Sequence, residues 1–208
     1  MLKMFNSKTV LIVFVFFIGL SPVFSTENNS KTTRDVSLFI GTYFPNERES
    51  SDYYTLYNNG LSYGGSLSFL RDKVGMDFSL SLSKNSGELS SDREIMRNNN
   101  CIKTMFTSIC FLYVPMQERK YNVRLGLGLV VKRKNEDIDY KYIYNSRVYS
   151  VNRKTTNQCY GGLLKGDYGI LIYKNIYSDL KISFLVFDEN NYDYEMSYDI
   201  SIGFRYAL

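Results

Sequence analysis

From Glu195 to Leu208 the chain alternates without a break. Met196, Tyr198, Ile200, Ile202, Phe204, Tyr206 and Leu208 are apolar or aromatic, and the residues between them are polar, charged or small. A period of two over that length excludes an amphipathic helix, whose period is 3.6. The run is longer than an ordinary strand of about five or six residues. It suits a strand that crosses a bilayer in about 9–11 residues and projects beyond it. The same alternation recurs at Val36–Ile40, Leu61–Phe69, Met76–Leu82, Tyr121–Leu129 and Tyr160–Ile172. Runs at Cys101–Val114 and Leu180–Phe187 are apolar but less cleanly two-faced. Eight strands are predicted.

The links alternate too. Short ones fall at 71–73, 115–120 and 173–179, and long polar ones at 44–59, 85–100, 134–158 and 188–194. This predicts an all-β fold, an eight-stranded antiparallel up-and-down transmembrane β-barrel with short periplasmic turns and long extracellular loops. The third long link has its own alternation, Tyr140 to Tyr144 and Val148 to Val151, around a turn at Asn145-Ser146. It predicts a hairpin that carries two barrel strands into the medium and leaves an open strand edge.

Alternation alone also suits a soluble lipocalin-like barrel with its apolar face inward. Three features favour the inverted arrangement. The polar face is rich in Ser and Gly and carries charges of both signs: Asp35, Asp77, Arg124, Lys165, Asp167, Lys181, Glu195, Asp199 and Arg205. Small residues and paired charges fit the narrow bore of an eight-stranded barrel. Tyr198 and Tyr206 are spaced about 26 Å along a strand, or ~20 Å after tilting, near the ~25 Å between aromatic girdles. The alternation also runs to the last residue given.

The N-terminus adds an export signal. Lys3 and Lys8 precede an apolar run from Val10 to Leu20, then Ser21-Pro22 and Val23-Phe24-Ser25. This is the layout of a secretory signal peptide, residues 1–25, cleaved after Ser25. The run covers roughly 16 Å as a helix, about half a hydrocarbon core. Residues 26–208 then form one barrel domain. Losing the two lysines lowers the formal charge from +4, and so balanced a chain is no nucleic-acid binder. The 19 Tyr and 14 Phe favour strands and interfaces.

The chain resembles the small outer-membrane barrels of the OmpX and OmpA transmembrane-domain type. Its most specific match is their C-terminal assembly signal, filled here by Ser201, Gly203, Tyr206 and Leu208; many family members end in Phe instead of Leu. The resemblance implies residence in a Gram-negative outer membrane, contact with outer-membrane lipid, and recognition by the barrel-assembly machinery.

Histidine is absent. Small outer-membrane deacylases, phospholipases and omptin-like proteases resemble one another in needing one, so no enzyme is expected. Asp167 and Asp199 are expected to pair with Arg124, Lys165, Lys181 and Arg205 because an unpartnered buried charge is costly. Gly126 and Gly128 form no phosphate cradle and are expected to relieve crowding. Three scattered cysteines without histidine suggest no metal site, and no cofactor is expected. Cys101 and Cys159 are a candidate disulfide near the outer rim, though one strand separates theirs. The leading functional expectation is a non-enzymatic surface barrel whose third loop, about 134–158, adheres to a host or envelope protein. A narrow pore for small or apolar solutes and a soluble ligand-binding barrel are the alternatives.

Overall fold

The computed structural model describes residues 32–45, 54–90, 94–98, 100–118, 120–188 and 194–208. The expected signal peptide lies outside them, as do residues 46–53, 91–93 and 189–193 of three long links. The described chain forms ten strands: β1 (Thr32–Phe44), β2 (Tyr54–Tyr57), β3 (Gly60–Arg71), β4 (Val74–Ser90), β5 (Glu94–Asn98), β6 (Asn100–Gln117), β7 (Tyr121–Tyr144), β8 (Arg147–Tyr173), β9 (Ile176–Asp188) and β10 (Tyr194–Ala207).

Eight of these close a ring. Antiparallel pairing runs β1–β3–β4–β6–β7–β8–β9–β10 and returns to β1, where Asp35 faces Ala207 and Phe44 faces Tyr198. Closure satisfies the backbone groups that an open edge would leave bare, and those groups have no water to turn to in lipid. The two short strands continue existing staves. β2 pairs with β4 at Gly87–Ser90, beyond the part that β3 covers, and β5 pairs with β7 at Tyr140–Ile143, beyond the part that β6 covers. Residues 54–57 of the link expected at 44–59 and most of the link expected at 85–100 are therefore paired strand. A ladder stabilises itself through main-chain bonds whatever the side chains, so polar sequence outside the apolar band does not end it.

The short turns sit at one end. Asp72 and Lys174 take positive φ of 56° and 45° in two of them. In the third, Pro115 lacks an N–H for the ladder, and the β6–β7 register shifts between Tyr113 and Met116.

Alternation maps onto two faces as the transmembrane reading requires. Leu127 and Leu129 are 68% and 70% exposed, whereas Lys132 and Arg205 are 0% and 1% exposed. Leu38, Phe111, Leu164, Phe184, Ile202 and Phe204 share the bare outer face. A soluble barrel with inward apolar residues is the opposite of what is observed. Inside, Tyr43, Phe106, Cys110, Val130, Leu163, Leu185 and Phe187 form an apolar cluster, and Leu70, Leu112 and Val114 form a smaller one.

Candidate functional site

Inward parity brings the predicted charges together toward the short-turn end. Arg124 on β7 donates to Asp35 on β1. Arg205 on β10 donates to Asp179 at 3.0 Å and stands 3.8 Å from Asp35. Both guanidinium groups also donate to Asn122, at 2.9 Å from Arg124 and 3.3 Å from Arg205, and Arg205 lies over the Tyr177 ring at 4.6 Å. Farther along the bore in the same tier, Lys165 donates to Asp77 at 2.5 Å, Ser68 donates to the same carboxylate at 2.6 Å, and Asp167 lies 4.0 Å from Lys165. Buried ions are tolerable only in such company.

Two expected pairings come out differently. Asp199 accepts from Ser62, its salt-bridge role passing to Asp179 nearer the turn. Lys181 sits 5.0 Å from the Phe39 ring, where the face of an aromatic ring attracts a cation. Sequence reasoning placed Asp179 in a link and so missed it; Lys181, two residues on with the same parity, was the available signal. It also missed Lys132, which donates to Glu195 at 2.5 Å and lies 5.1 Å from the Phe187 ring. That pair sits on the far side of the apolar cluster, so the bore has two ionic tiers separated by packed rings.

The glycines make this packing possible. A Cβ on Gly126 would come within 2.7 Å of the Lys165 stem, and one on Gly128 within 2.9 Å of the Cys110 sulfur. Between the tiers lies a cavity of about 50 Å³ bordered by Ser66, Ser79, Ser108, Lys165 and Lys181, polar and roomy enough for water. The tier is an ionic network that holds staves together.

Cys101 and Cys159 do not meet. Cys101 faces Asp137 across β6–β7 and Cys159 faces Lys132 across β7–β8, so they stand two strands apart and five residues out of step. Opposite parity also points Cys101 outward, while Cys159 packs on the interior cluster. Two strand spacings alone are about 10 Å, beyond the ~7 Å that a disulfide allows between Cα atoms.

At the opposite end the hairpin rises as predicted. β7 and β8 pair continuously to Tyr144 opposite Arg147, and Asn145 and Ser146 have φ of 50° and 60°, the left-handed pair that a two-residue turn requires. Tyr142 stacks on Tyr149 with centroids 5.3 Å apart, and Lys154 bonds Asp137 at 2.9 Å. One edge is covered: β6 and then β5 flank β7. The other is not. β9 leaves β8 at Gly161 opposite Phe187, and among the described residues no strand flanks 147–160 on that side. The open edge expected of the hairpin thus belongs to β8 alone.

A closed ring of eight antiparallel staves, apolar outside and ionic inside, defines a transmembrane β-barrel of the outer-membrane type. Solved structures share that fold. The outer membrane protein OprG of Pseudomonas aeruginosa is similar with a TM-score of 0.59 at 10% identity, covering 88% of this chain and 99% of that one. Ail, the attachment invasion locus protein of Yersinia pestis, solved with the heparin analogue sucrose octasulfate, is similar at 0.54 and 9% identity, covering 86% and 99%. The outer membrane protease OmpT of Escherichia coli is similar at 0.51 and 11% identity, covering 90% and 99%. No protein-family model matches the sequence, and no curated protein matches it. The architecture common to these structures is a membrane barrel, and it hosts more than one function.

Proposed function

We propose that the protein is exported by its residues 1–25, inserts in a bacterial outer membrane, and serves there as a non-enzymatic surface barrel that binds an external protein through the 134–158 hairpin. The observation that carries this is the edge of β8 from Arg147 to Tyr160, which no strand flanks among the described residues. Such an edge offers main-chain donors and acceptors in register, the template for strand addition by an extended partner segment. The interior filled by packed and ion-paired side chains favours the outside of the barrel as its working surface. The assembly signal at Ser201, Gly203, Tyr206 and Leu208 supports insertion: Tyr206 and Leu208 are exposed on the outer wall, while Ser201 and Gly203 point inward.

Deleting residues 138–153 tests the binding role. Cells displaying the shortened barrel should lose adherence to a protein-coated surface on which the full chain adheres, while the heat-dependent gel shift of a folded barrel persists. Undiminished adherence with an intact shift would show that the hairpin is not the contact.

A further inference from the structure

The free edge of the hairpin has a direction and a register, and both restrict what can pair with it. Tyr144 and Arg147 flank a two-residue turn, and residues in that position exchange both of their main-chain bonds. The β7–β8 register then runs without a shift to Tyr121 opposite Ile170, so the odd-numbered residues of β8 bond β7. The even-numbered ones, from Val148 to Gln158, turn their N–H and C=O groups to the side that no described strand flanks. Apart from Val151, Thr155 and Cys159, the side chains from 147 to 160 are exposed.

The sequence of this edge is complementary to itself. Two copies that meet across a two-fold axis pair antiparallel, and the residue on the axis faces its own equivalent. An axis at Arg153 or Lys154 would set a cation against itself, and one at Ser150 would set Arg147 against Arg153. Like charges so placed repel. With the axis at Thr155 or beyond, the partner's hairpin tip would run into β9, which flanks β8 from Phe187 opposite Gly161. Val151 and Asn152 remain, and Asn152 gives the longer ladder, residues 147–157 of each copy. Val151 then faces Arg153, Ser150 faces Lys154, Tyr149 faces Thr155, Val148 faces Thr156 and Arg147 faces Asn157. No like charges meet, and Tyr149 with Thr155 is an aromatic and β-branched pair of the favourable kind. The even-numbered residues, which carry the free main-chain groups, fall opposite one another as an antiparallel ladder requires.

Direction decides where the second copy stands. β8 runs from the hairpin tip into the barrel, so an antiparallel partner has its barrel beyond the tip, in a membrane opposite the first. Two barrels in one membrane would present parallel β8 edges. A two-fold axis along the strands then turns facing side chains to opposite sides of the sheet, whereas facing residues of a ladder share a side. We propose that the 147–157 edge pairs with the same edge of a second copy in a facing membrane, centred on Asn152. The inference rests on the hairpin reading given under Proposed function and names its partner. Tyr160 of one copy then lies roughly 50 Å along the strands from Tyr160 of the other, so the two bilayers need not touch.

The test uses the full chain folded into phosphatidylcholine vesicles of two colours, with the share of mixed-colour clusters counted by fluorescence microscopy. Mixed clusters should form when both colours carry the chain, and not when one colour is empty. Asn152→Asp on both colours, or Asn152→Lys on both, sets like charges on the axis and should cut the mixed share about tenfold. Asn152→Asp vesicles mixed with Asn152→Lys vesicles should cluster as the unaltered chain does. Asn152→Pro removes an N–H on the free side while sparing the bonds to β7, as proline does on an edge strand, and should also abolish mixed clusters. Lys174→Gln, at the short-turn end, should keep them. The heat-dependent gel shift checks that each variant is folded; if the proline variant lacks it, the aspartate and lysine variants carry the test. Three results overturn the proposal: no mixed clusters with the unaltered chain, equal clustering with empty vesicles, or no rescue on mixing the aspartate and lysine variants. If adherence to a protein-coated surface is nonetheless lost on deleting 138–153, the hairpin reading stands with a different partner. Undiminished adherence after that deletion would sink the hairpin reading itself, so the two failures are distinguishable.

Discussion

Arg205 is the residue on which the lower tier converges, touching Asp35, Asn122, Asp179 and Tyr177 from one buried guanidinium. Removing it leaves carboxylates buried with fewer partners, the situation in which breaking a pair costs about 3–5 kcal/mol. Arg205→Ala is expected to lower the urea midpoint of the detergent-folded barrel accordingly; a shift worth under ~1 kcal/mol would mean that the network is dispensable. Glycines give a matched contrast. A Cβ on Gly169 would overlap Arg205 Nη2 and Asp179 Oδ1, whereas one on Gly162 meets nothing within 4 Å. Gly169→Ala should therefore cost roughly 1–3 kcal/mol through forced displacement. Gly162→Ala on the outer wall should stay within about 0.5 kcal/mol. Equal midpoints for the two variants would contradict the packing described for the bore.

The hairpin is the element whose stability is most separable from the barrel. Its turn places Asn145 and Ser146 at positive φ, a conformation that glycine adopts without the steric penalty that serine carries. Ser146→Gly should tighten the hairpin tip, seen as slower tryptic cleavage after Arg147, with the urea midpoint of the barrel unchanged. Faster cleavage would indicate that the turn is not held in the left-handed pair. The same element shows why two strands meet different fates. β7 is flanked on both sides by β8 and by β6 with β5, and among the described residues β8 above Gly161 is flanked only by β7. Loop length alone did not say which side would be bare.

At the scale of the molecule, apolar side chains fill the middle of the bore. Tyr43, Phe106, Val130, Leu163, Leu185 and Phe187 converge from five staves between the two ionic tiers. Eight strands leave an interior that side chains fill. Reconstituted into planar bilayers, the protein is expected to show no steady conductance. Regular open-channel steps would mean that the apolar cluster moves aside and would favour the pore reading over surface binding.

The alternation of the chain by itself determined the number of staves, the face that meets lipid, and the inward position of every charge named beforehand. It could do so because a period of two is local: once one residue of a strand is assigned to a face, the rest follow. The hairpin turn at Asn145-Ser146 was legible for the same reason. Only the tertiary structure decided which charges pair. Partners such as Arg124 and Asp35, or Lys132 and Glu195, lie on staves far apart in sequence and meet across the bore, so their choice depends on ring closure and stagger. The separation of Cys101 from Cys159 was decided in the same way. Register between strands fixes neighbours, and it is the property that alternation within a single strand does not encode.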